Sequence, residues 1–324
     1  MAKKFNKIGV LSSGGDAPGM NAAIRAVVRC GINAGLEVWG IERGYEGLLD
    51  KDLRKMDLSS VGEILHRGGT MLKTARSERF RDPIWIDKAA EFLREKGIEG
   101  LVVIGGDGSM RGGIELAQRG IKIIAVPGTI DNDLAHTDFT IGFDTAVSTV
   151  LDAISKIRDT SSAHNRATVI EVMGRHCGDI ALYSAVAGGA ECVLLPEKEE
   201  DLDYVCNKII EGSNRGKLHS IIIKAEGTKI SGEDLVKIIE ERTSKETKLV
   251  TLSYLQRGGS PTMNDRMLAT LCGAKAVELL SNGKGNRAVG SVAGKIVDYD
   301  IEDSLKMSSD FNEEMYQLID VLSK

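Results

Sequence analysis

Cysteine, aromatic residues and net positive charge are all scarce in this sequence. The five cysteines are scattered over 324 residues and form no C-x-x-C pair, so neither a disulfide framework nor a zinc site is implied. Aromatic residues make up 4% of the chain, which leaves few for base-stacking platforms. The net charge of −5 creates no basic field for nucleic acid. We therefore expect no nucleic-acid partner, and any anion site has to be a local cluster of arginines.

Long apolar runs are also absent. No stretch approaches the length of a membrane-spanning helix. The first residues include two lysines but are not followed by the apolar region of a secretory signal. We expect a soluble, cytoplasmic protein without membrane contact.

Glycine, in contrast, is abundant, with 37 residues against 5 prolines. Together with 42% hydrophobic residues, this composition is typical of an α/β protein in which glycine-rich turns join strands to helices. The apolar pattern predicts strands at 7–12, 37–42, 101–104, 121–126, 168–173, 219–224 and 248–254, and helices at 21–33, 87–96, 112–119, 146–158, 179–187 and 233–242. Both halves of the chain follow this plan, without a strict sequence repeat.

The sequence PGTIDND at residues 127–133 directly follows one of the predicted strands. An extended or turned backbone would aim Thr129, Asp131 and Asp133 toward the same side. Polar groups just past the carboxyl end of a parallel strand face the ligand crevice, where a carboxylate can take a proton from a substrate hydroxyl. The alternative is an Asx-rich turn that caps the next helix. This stretch alone does not decide between the two.

The sequence GGDGS at residues 105–109 follows a second predicted strand. Its glycines would let the backbone approach a pyrophosphate closely, and Asp107 is placed to hold Mg²⁺. The alternative is a tight turn with Ser109 as a helix N-cap. The chain has no G-x-x-x-x-G-K-[ST] loop and no complete G-x-G-x-x-G after the first strand, which disfavours P-loop kinases and NAD dehydrogenases.

In their order along the chain, the motifs resemble those of one family, the ATP-dependent 6-phosphofructokinases of bacterial type. The resemblance covers essentially the whole chain and rests on residues 14–21, 68–70, 105–109, 127–133, 173–175 and 256–261. It implies an α/β fold of two similar Rossmann-like, three-layer domains with mainly parallel sheets and an active site in the cleft between them. The ATP-binding domain would comprise residues 1–142 and 257–305, and the sugar-phosphate-binding domain residues 143–256 and 306–324.

The implied reaction moves the γ-phosphoryl group of MgATP to the 1-hydroxyl of fructose 6-phosphate, a step of glycolysis that gives fructose 1,6-bisphosphate and ADP. Such transfer depends on positioning and on charge neutralisation. By resemblance, Asp131 is the base, Thr129 and Asp133 hold the phosphoryl group and the metal, and Arg175 stabilises the transferring charge. The residues implied for ATP are Gly15, Tyr45, Arg76, Ser77, Gly106, Asp107, Gly108 and Ser109, with Asp107 as the ligand of Mg²⁺ and Phe80 beside the nucleotide.

The phosphoryl donor is also indicated by the resemblance. Pyrophosphate-dependent relatives tend to carry a bulky acidic residue where Gly108 stands and a lysine where Gly128 stands. Glycine at both positions leaves room for adenosine, so ATP is the expected donor.

The sugar phosphate is a dianion and requires forked donors. The residues implied for it are Thr129, Ile130, Asp131, Arg166, Met173, Gly174, Arg175, Glu226, Lys248, Tyr254 and Arg257. In the family, the residues at 166 and 248 reach the site from a neighbouring subunit, whereas the residues alone favour a solvated arginine at 166. Lys248 and Tyr254 depart from the usual arginine and histidine, which puts the sugar affinity in doubt.

A second basic cluster includes Arg25 and Arg29, which share a helical face and repel each other unless an anion bridges them. A solvated basic face is the alternative. The family's effector site, which binds ADP and phosphoenolpyruvate between subunits, implies Arg25, Arg29, Glu63, Arg158, Glu191, Arg215, Lys217 and His219. Leu58 replaces an arginine found in some members. Because both sites draw on neighbouring subunits, a homotetramer is expected.

Other functions remain open at this point. One is a kinase for another ketose phosphate, such as tagatose 6-phosphate or sedoheptulose 7-phosphate. Another is a regulatory subunit that binds ATP and effector without catalysis, which the intact Asp107, Asp131 and Arg175 argue against. A lipid or NAD kinase shares a GGDG turn but is disfavoured by the blocks at 127–133 and 173–175.

Overall fold

The structure is a computed structural model that describes residues 6–323; residues 1–5 and Lys324 lie outside the described part. Its strands are β1 (Lys7–Ser12), β2 (Glu37–Ile41), β3 (Leu53–Met56), β4 (Gly100–Gly105), β5 (Lys122–Thr129), β6 (Ile141–Gly142), β7 (Ala167–Val172), β8 (Cys192–Leu194), β9 (Ser220–Ala225), β10 (Thr247–Thr251), β11 (Arg287–Val292) and β12 (Lys295–Asp300). Its α-helices are α1 (Met20–Asn33), α2 (Gly44–Leu49), α3 (Pro83–Glu95), α4 (Asp107–Gln118), α5 (Phe143–His164), α6 (Asp179–Gly188), α7 (Leu202–Asn214), α8 (Gly232–Thr243), α9 (Met263–Ser281), α10 (Ile301–Ser304) and α11 (Glu313–Leu322). Short 3-10 helices span Arg79–Arg81 and Ser253–Arg257.

The chain divides into two compact units. The first unit contains the described residues up to Thr145 together with Arg257–Ser309, and the second contains Ala146–Gln256 and continues from Asp310. The chain leaves the first unit inside α5, whereas the sequence places this boundary after residue 142. The assignment of the nucleotide to one unit and the sugar phosphate to the other remains a prediction.

The sheet of the first unit has the strand order β12-β11-β5-β4-β1-β2-β3, with β6 beside the end of β5. The strands pair in parallel, except at β2–β3 and β11–β12. From β1 the chain continues to β2 on one side, and from β4 it continues to β5 on the other. The strand order therefore reverses between β1 and β4, which is where open α/β sheets bind ligands.

The register brings the carboxyl ends of β1, β4 and β5 together. Ser12 pairs with Ile104, and Gly105 pairs with Pro127. All six residues of β4 are buried, as expected for a central parallel strand covered on both faces. The polar turns after these three strands therefore emerge side by side from a rigid core.

The sheet of the second unit has the order β10-β7-β9-β8, and its strands all pair in parallel. At its carboxyl edge Val172 pairs with Ala225. At its amino edge Ala167 lies between Ser220 and Thr247. Side chains just before and just after these strands therefore belong to opposite edges of one sheet.

The predicted α/β class with mainly parallel sheets is confirmed, but several element boundaries are wrong. Helix α4 begins at Asp107, with Gly106 as its N-cap, and not at 112, because Gly108 and Gly112 hid the helical pattern. Strand β5 continues through residues 127–129. Tyr254 belongs to a 3-10 helix, not to a strand. The pattern also missed α2, β3, β6, β8, α7, α9, β11, β12, α10 and α11.

Among residues 6–323, no helix is long and apolar enough to cross a membrane.

The start of α5 is held by a buried carboxylate from α9. Asp265 is 1% exposed and accepts hydrogen bonds from the backbone N–H groups of Gly142 and Thr145, each at 2.8 Å, and from the Thr145 hydroxyl. Burial raises the pKa of this carboxyl, and the hydrogen bonds oppose that rise. The segment that leads into α5 therefore depends on one acceptor group.

We expect Asp265→Asn to lower the free energy of unfolding by about 1–3 kcal/mol, because its amide nitrogen would face buried donors. Urea unfolding of the purified chain measures this loss. Asp82→Asn is the control, since Asp82 caps α3 at Ile84 N–H and asparagine is an equally good N-cap. Equal midpoints for the two variants would contradict the role of Asp265.

Candidate active site

A cavity of about 740 Å³ opens in the first unit at the carboxyl ends of β1, β4 and β5. It brings together thirteen of the residues predicted for phosphoryl transfer, ATP or sugar phosphate: Gly15, Tyr45, Arg76, Ser77, Phe80, Gly106, Asp107, Gly108, Ser109, Thr129, Asp131, Asp133 and Arg257. Ile130, predicted to contact the sugar, is fully buried and does not line this cavity. Ile130 directly follows β5, and neighbouring residues of an extended backbone place their side chains on opposite sides, which accounts for this difference from Thr129.

The amino end of α4 forms one wall of the cavity. Gly106 is the N-cap, and Asp107, Gly108 and Ser109 form the first helical turn. Ser109 N–H donates to the Gly106 carbonyl oxygen at 3.0 Å. The N–H groups before it in such a turn have no acceptor within the helix, and together with the helix dipole they favour an anion. Ser109 is therefore part of the helix and is not its cap. This wall can hold phosphate oxygens.

Asp107 is the acidic residue of that first turn. Its Oδ1 atom is buried and accepts no hydrogen bond among the described residues, although the Nε atom of Arg111 forms an ion pair with it at 3.0 Å. Arg111 was missed in the sequence, and its i,i+4 spacing from Asp107 was the available signal. A buried carboxylate oxygen beside an anion-binding helix start suits a hard cation such as Mg²⁺.

The turn after β5 presents Thr129, Asp131 and Asp133 to the same cavity. Asn132 makes this possible because it adopts a left-handed conformation, with φ of 55°, and accepts a hydrogen bond from Thr140 N–H at 3.0 Å. The Thr129 hydroxyl accepts from Asp131 N–H at 3.2 Å. Within residues 6–323 the Asp131 carboxylate has no hydrogen-bond or ion-pair partner. It is thus available to accept a proton.

An aromatic pair forms another wall. The rings of Tyr45 and Phe80 are stacked, with centroids 4.2 Å apart. The Tyr45 hydroxyl donates to the Ser109 carbonyl oxygen at 2.6 Å, and burial raises the pKa of this phenol. The pair therefore fixes the aromatic wall against the first turn of α4.

Two arginines supply positive charge to the cavity. Arg257 donates to the Asp16 carbonyl oxygen at 3.2 Å, and its guanidinium lies so close to Gly15 that a Cβ there would be 2.5 Å from Nη1. The structure thus places Arg257, predicted for the sugar phosphate, beside the glycine predicted for ATP. Arg76 is exposed and has no hydrogen-bond or ion-pair partner among the described residues.

The two glycines used to predict the donor differ in their surroundings. A Cβ at Gly108 would meet nothing within 4 Å, so space is indeed open there. At Gly128 a Cβ would lie 2.9 Å from Ile104 and 3.2 Å from Met20, so it would point into the core and not toward a nucleotide. A side chain at Gly128 would therefore require Ile104 or Met20 to shift. The backbone of Gly128 lines the cavity, and its part in the choice of donor stays a prediction.

The second unit holds part of the predicted sugar set at the carboxyl edge of its sheet. Met173, Gly174 and Arg175 follow β7, and Glu226 follows the neighbouring β9. Gly174 has φ of 135°, and a Cβ there would clash with the Cys177 carbonyl oxygen at 2.6 Å. Arg175 and Glu226 are exposed. The structure thus places these four residues after neighbouring strands, and their role in sugar binding stays a prediction.

Arg166 and Lys248 lie at the opposite, amino edge of the same sheet. Arg166 precedes β7, and Lys248 is the second residue of β10. Glu246, which the sequence did not reveal, bridges them: its Oε2 is 2.8 Å from Arg166 Nε and its Oε1 is 2.9 Å from Lys248 Nζ. These two cations hold the pKa of Glu246 at about 2. Tyr254 is 79% exposed, beyond the other end of β10.

Residues of the predicted effector set form a cluster at this amino edge. Glu191 is 2% exposed, pairs with Lys217 and accepts from Ile221 N–H. Burial lowers the pKa of His219, whose Nδ1 lies 2.7 Å from Ser162 Oγ. The remaining charged groups that act on His219 are Arg158, which donates to the Gly188 and Gly189 carbonyl oxygens, and Lys245, which the sequence analysis missed.

The other predicted effector residues have different surroundings. Arg215 donates to the Ser323 carbonyl oxygen at 3.2 Å. In the first unit, Arg29 and Leu58 line a surface hollow of about 490 Å³. Arg25 is half-buried one turn before Arg29 on α1, and Glu63 is exposed with φ of 53°.

An anion-binding helix start and paired aspartates at the switch point of a parallel sheet are typical of phosphotransferases. The phosphofructokinase family model matches residues 7–280. The chain is 57% identical over 317 residues to the ATP-dependent 6-phosphofructokinase of Alkaliphilus metalliredigens (strain QYMF), covering 98% of this chain and 99% of that protein. The chain therefore belongs to the phosphofructokinase family, as predicted.

Solved structures agree with this membership. The chain is 36% identical to phosphofructokinase from Saccharomyces cerevisiae, with a TM-score of 0.86 over 94% of this chain, and it spans 45% of the yeast chain's length. A pyrophosphate-dependent phosphofructokinase from Marinobacter aquaeolei, at 20% identity, shares the fold, with a TM-score of 0.85 over 97% of this chain and 91% of that one.

The surroundings of the two glycines give a direct test. We expect Gly128→Ala to lower the free energy of unfolding by about 1–3 kcal/mol, because its methyl group overpacks against Ile104 and Met20. Gly108→Ala adds a methyl group in open space within a helix and is expected to be neutral or to stabilise by up to about 1 kcal/mol. Urea unfolding of both variants measures the difference. Equal effects would show that the two positions are equally open.

Proposed function

We propose that the chain transfers the γ-phosphoryl group of ATP to the 1-hydroxyl of fructose 6-phosphate in glycolysis, in the cytoplasm. The 57% identity to an ATP-dependent 6-phosphofructokinase over nearly the full length carries this proposal. The cavity supports it, since an anion-binding helix start faces two aspartates across a space suited to a nucleotide. A coupled assay for fructose 1,6-bisphosphate, with ATP or pyrophosphate as donor, tests it. Turnover with pyrophosphate and none with ATP would overturn it.

The bound metal would be Mg²⁺, held by Asp107 and by the nucleotide phosphates. Mg²⁺ typically uses one or two carboxylates plus phosphate oxygens, which matches the single acidic residue of the first turn of α4. Its charge would neutralise the phosphates during transfer. Arg76, which has no partner among residues 6–323, would bind the same phosphates.

Asp131 would act as the general base. Its unpaired carboxylate lies in the cavity beside Thr129 and Asp133, where a sugar hydroxyl would be deprotonated as it attacks. Thr129 would position the phosphoryl group, and Arg175 would stabilise its charge.

We expect Asp131→Asn to lower kcat by roughly 10²–10⁴-fold, the usual contribution of a general base, while the KM values for ATP and sugar stay close to those of the parent. Steady-state kinetics with both substrates measure this. Asp138→Asn is the control, since Asp138 accepts from Ala293 N–H and does not line the cavity. A near-normal kcat for the Asp131 variant would remove it from this role.

The sugar-phosphate site would need a second copy of the chain. Within the second unit, β7 separates Arg166 from Met173 by a six-residue strand, which is about 20 Å long. Arg166 and Lys248 therefore cannot share one small ligand with Met173 and Glu226 of the same copy. A neighbouring copy that contributes Arg166 and Lys248 resolves this separation, which supports an oligomer such as the proposed homotetramer.

Lys248 would weaken the sugar-phosphate site. Its ammonium carries the charge of the usual arginine but lacks the planar fork that clamps two phosphate oxygens. Tyr254 donates one hydrogen bond and is not cationic near neutral pH, unlike histidine. The loss of one charge-assisted bond typically costs about 1–3 kcal/mol.

We therefore expect Lys248→Arg combined with Tyr254→His to lower KM for fructose 6-phosphate by about one to two decades and to leave kcat nearly unchanged. Kinetics with fructose 6-phosphate, tagatose 6-phosphate and sedoheptulose 7-phosphate measure this. A low KM in the parent that rises in the double variant would contradict the idea.

The effector site would bind ADP and phosphoenolpyruvate. The cluster of Arg158, Lys217 and Lys245 around a single buried Glu191 leaves excess positive charge, which an anion would neutralise. Arg25 and Arg29 would complete it from another copy.

We expect Arg25→Ala and Arg215→Ala each to abolish most of the response of the enzyme to ADP and phosphoenolpyruvate, while activity without effector is retained. Rates at subsaturating fructose 6-phosphate, with and without each effector, measure this. Unchanged responses in both variants would leave the cluster as a basic surface only.

A further inference from the structure

One wall of the cavity is a segment that makes few backbone hydrogen bonds to the rest of the protein. Residues 74–81, here called the wall segment, contribute Ala75, Arg76, Ser77, Glu78, Phe80 and Arg81 to the lining. Thr74 anchors its start by donating to the Gly14 carbonyl oxygen at 2.7 Å, and buried Phe80 anchors its end against Tyr45. Between these anchors, residues 75–77 make no backbone hydrogen bond to the rest of the described chain.

The middle of the wall segment is held by one side chain from α2. The Ser77 hydroxyl donates to Glu46 Oε2, and Ser77 Oγ also accepts from Phe80 N–H at 3.2 Å. The other oxygen of Glu46 binds Arg79, whose Nε lies 2.9 Å away. Arg79 in turn reaches Asp50 at 2.7 Å. Glu46 therefore holds Ser77 and Arg79, and Ser77 is the residue directly after Arg76.

We propose that Glu46 is a positioning residue, which acts by holding the wall segment so that Arg76 faces the nucleotide phosphates. Arg76 itself has no partner among residues 6–323, so its backbone alone determines where its guanidinium can reach. Glu46 does not line the cavity and acts only through Ser77 and Arg79. The inference rests on the proposed nucleotide site, which assigns Arg76 to the phosphates of ATP.

The ion pair between Glu46 and Arg79 is partly exposed, which limits its strength. Side-chain exposures are 24% for Glu46 and 37% for Arg79. Partly exposed ion pairs contribute little free energy to holding a segment in place, and the hydrogen bond to Ser77 adds to that contribution. Loss of the carboxylate is therefore expected to raise KM for ATP by about three- to tenfold. Under the proposal, Arg76 binds the ATP phosphates equally in the ground state and in the transition state of the transfer. The value of kcat should therefore barely change.

The experiment compares Glu46→Ala with Glu37→Ala. Glu37 is a matched control, since it also binds two cations, Lys55 at 2.8 Å and Lys7 at 3.4 Å, in the same unit but away from the cavity. We expect KM for ATP to rise in Glu46→Ala only. Arg79→Met removes the other partner of the Glu46–Arg79 ion pair and should also raise KM for ATP.

A second measurement reports the position of the segment directly. Arg76 is an exposed trypsin site in the wall segment. Mass spectrometry of the first cleavage products should show cutting after Arg76 to be several-fold faster in Glu46→Ala than in Glu37→Ala or the parent. ATP should slow that cleavage in the parent.

The variant Arg76→Leu distinguishes a failure of the proposed nucleotide site from a failure of the positioning role of Glu46. If this variant leaves KM for ATP unchanged, the proposed nucleotide site is wrong and the inference fails with it. If it raises KM while Glu46→Ala behaves like Glu37→Ala, the site stands and only the positioning role of Glu46 is overturned. The double variant combines Arg76→Leu with Glu46→Ala. If its KM for ATP rises by less than the product of the two single increases, Glu46 acts through Arg76, and a rise equal to that product refutes this.

Discussion

The alignment of three strand ends is the constraint on which the rest of the cavity depends. Ser12 lies beside Ile104, and Gly105 lies beside Pro127, so the turns after β1, β4 and β5 leave the sheet at one edge. Thr129, the last residue of β5, is partly exposed and lines the cavity, whereas Ile130, the next residue, is fully buried. The complete burial of Ile130 thus keeps Thr129 and the aspartates after it on the cavity side.

The cavity combines groups of opposite charge, and their arrangement decides what can bind. Asp107, Asp131 and Asp133 would repel a triphosphate, whereas the helix start, Arg76 and Arg257 attract it. A divalent cation reverses the effect of the carboxylates, because it is attracted by them and by the phosphates together. In the proposed reaction the aspartates therefore favour a metal–nucleotide complex over the free nucleotide.

Much of the fold and of the site could be predicted from the sequence, because strands followed by glycine and carboxylate residues are local patterns. The start of α4 could not, since Gly108 and Gly112 weaken the helical signal and only packing supports the helix there. The atoms that a Cβ at Gly128 would meet belong to Ile104 and Met20, which are distant in sequence. Glu246 and Glu46 are ordinary surface carboxylates until their partners are seen.

Under the proposed function, the sheet of the second unit would hold one half of each of two sites. Its carboxyl edge presents Arg175 and Glu226, and its amino edge presents Arg166 beside Glu246, with Glu191 and His219 at the starts of the adjacent strands. A ligand that bridged both edges would have to span the length of β7. Under the proposed function, the amino edge therefore serves other copies of the chain. Another copy that packs against this edge would contact both Arg166, from the predicted sugar-phosphate set, and His219, from the predicted effector set, because these residues precede neighbouring strands. Ser220 N–H donates to the Arg166 carbonyl oxygen at 3.2 Å, so one backbone hydrogen bond joins the residue after His219 to Arg166.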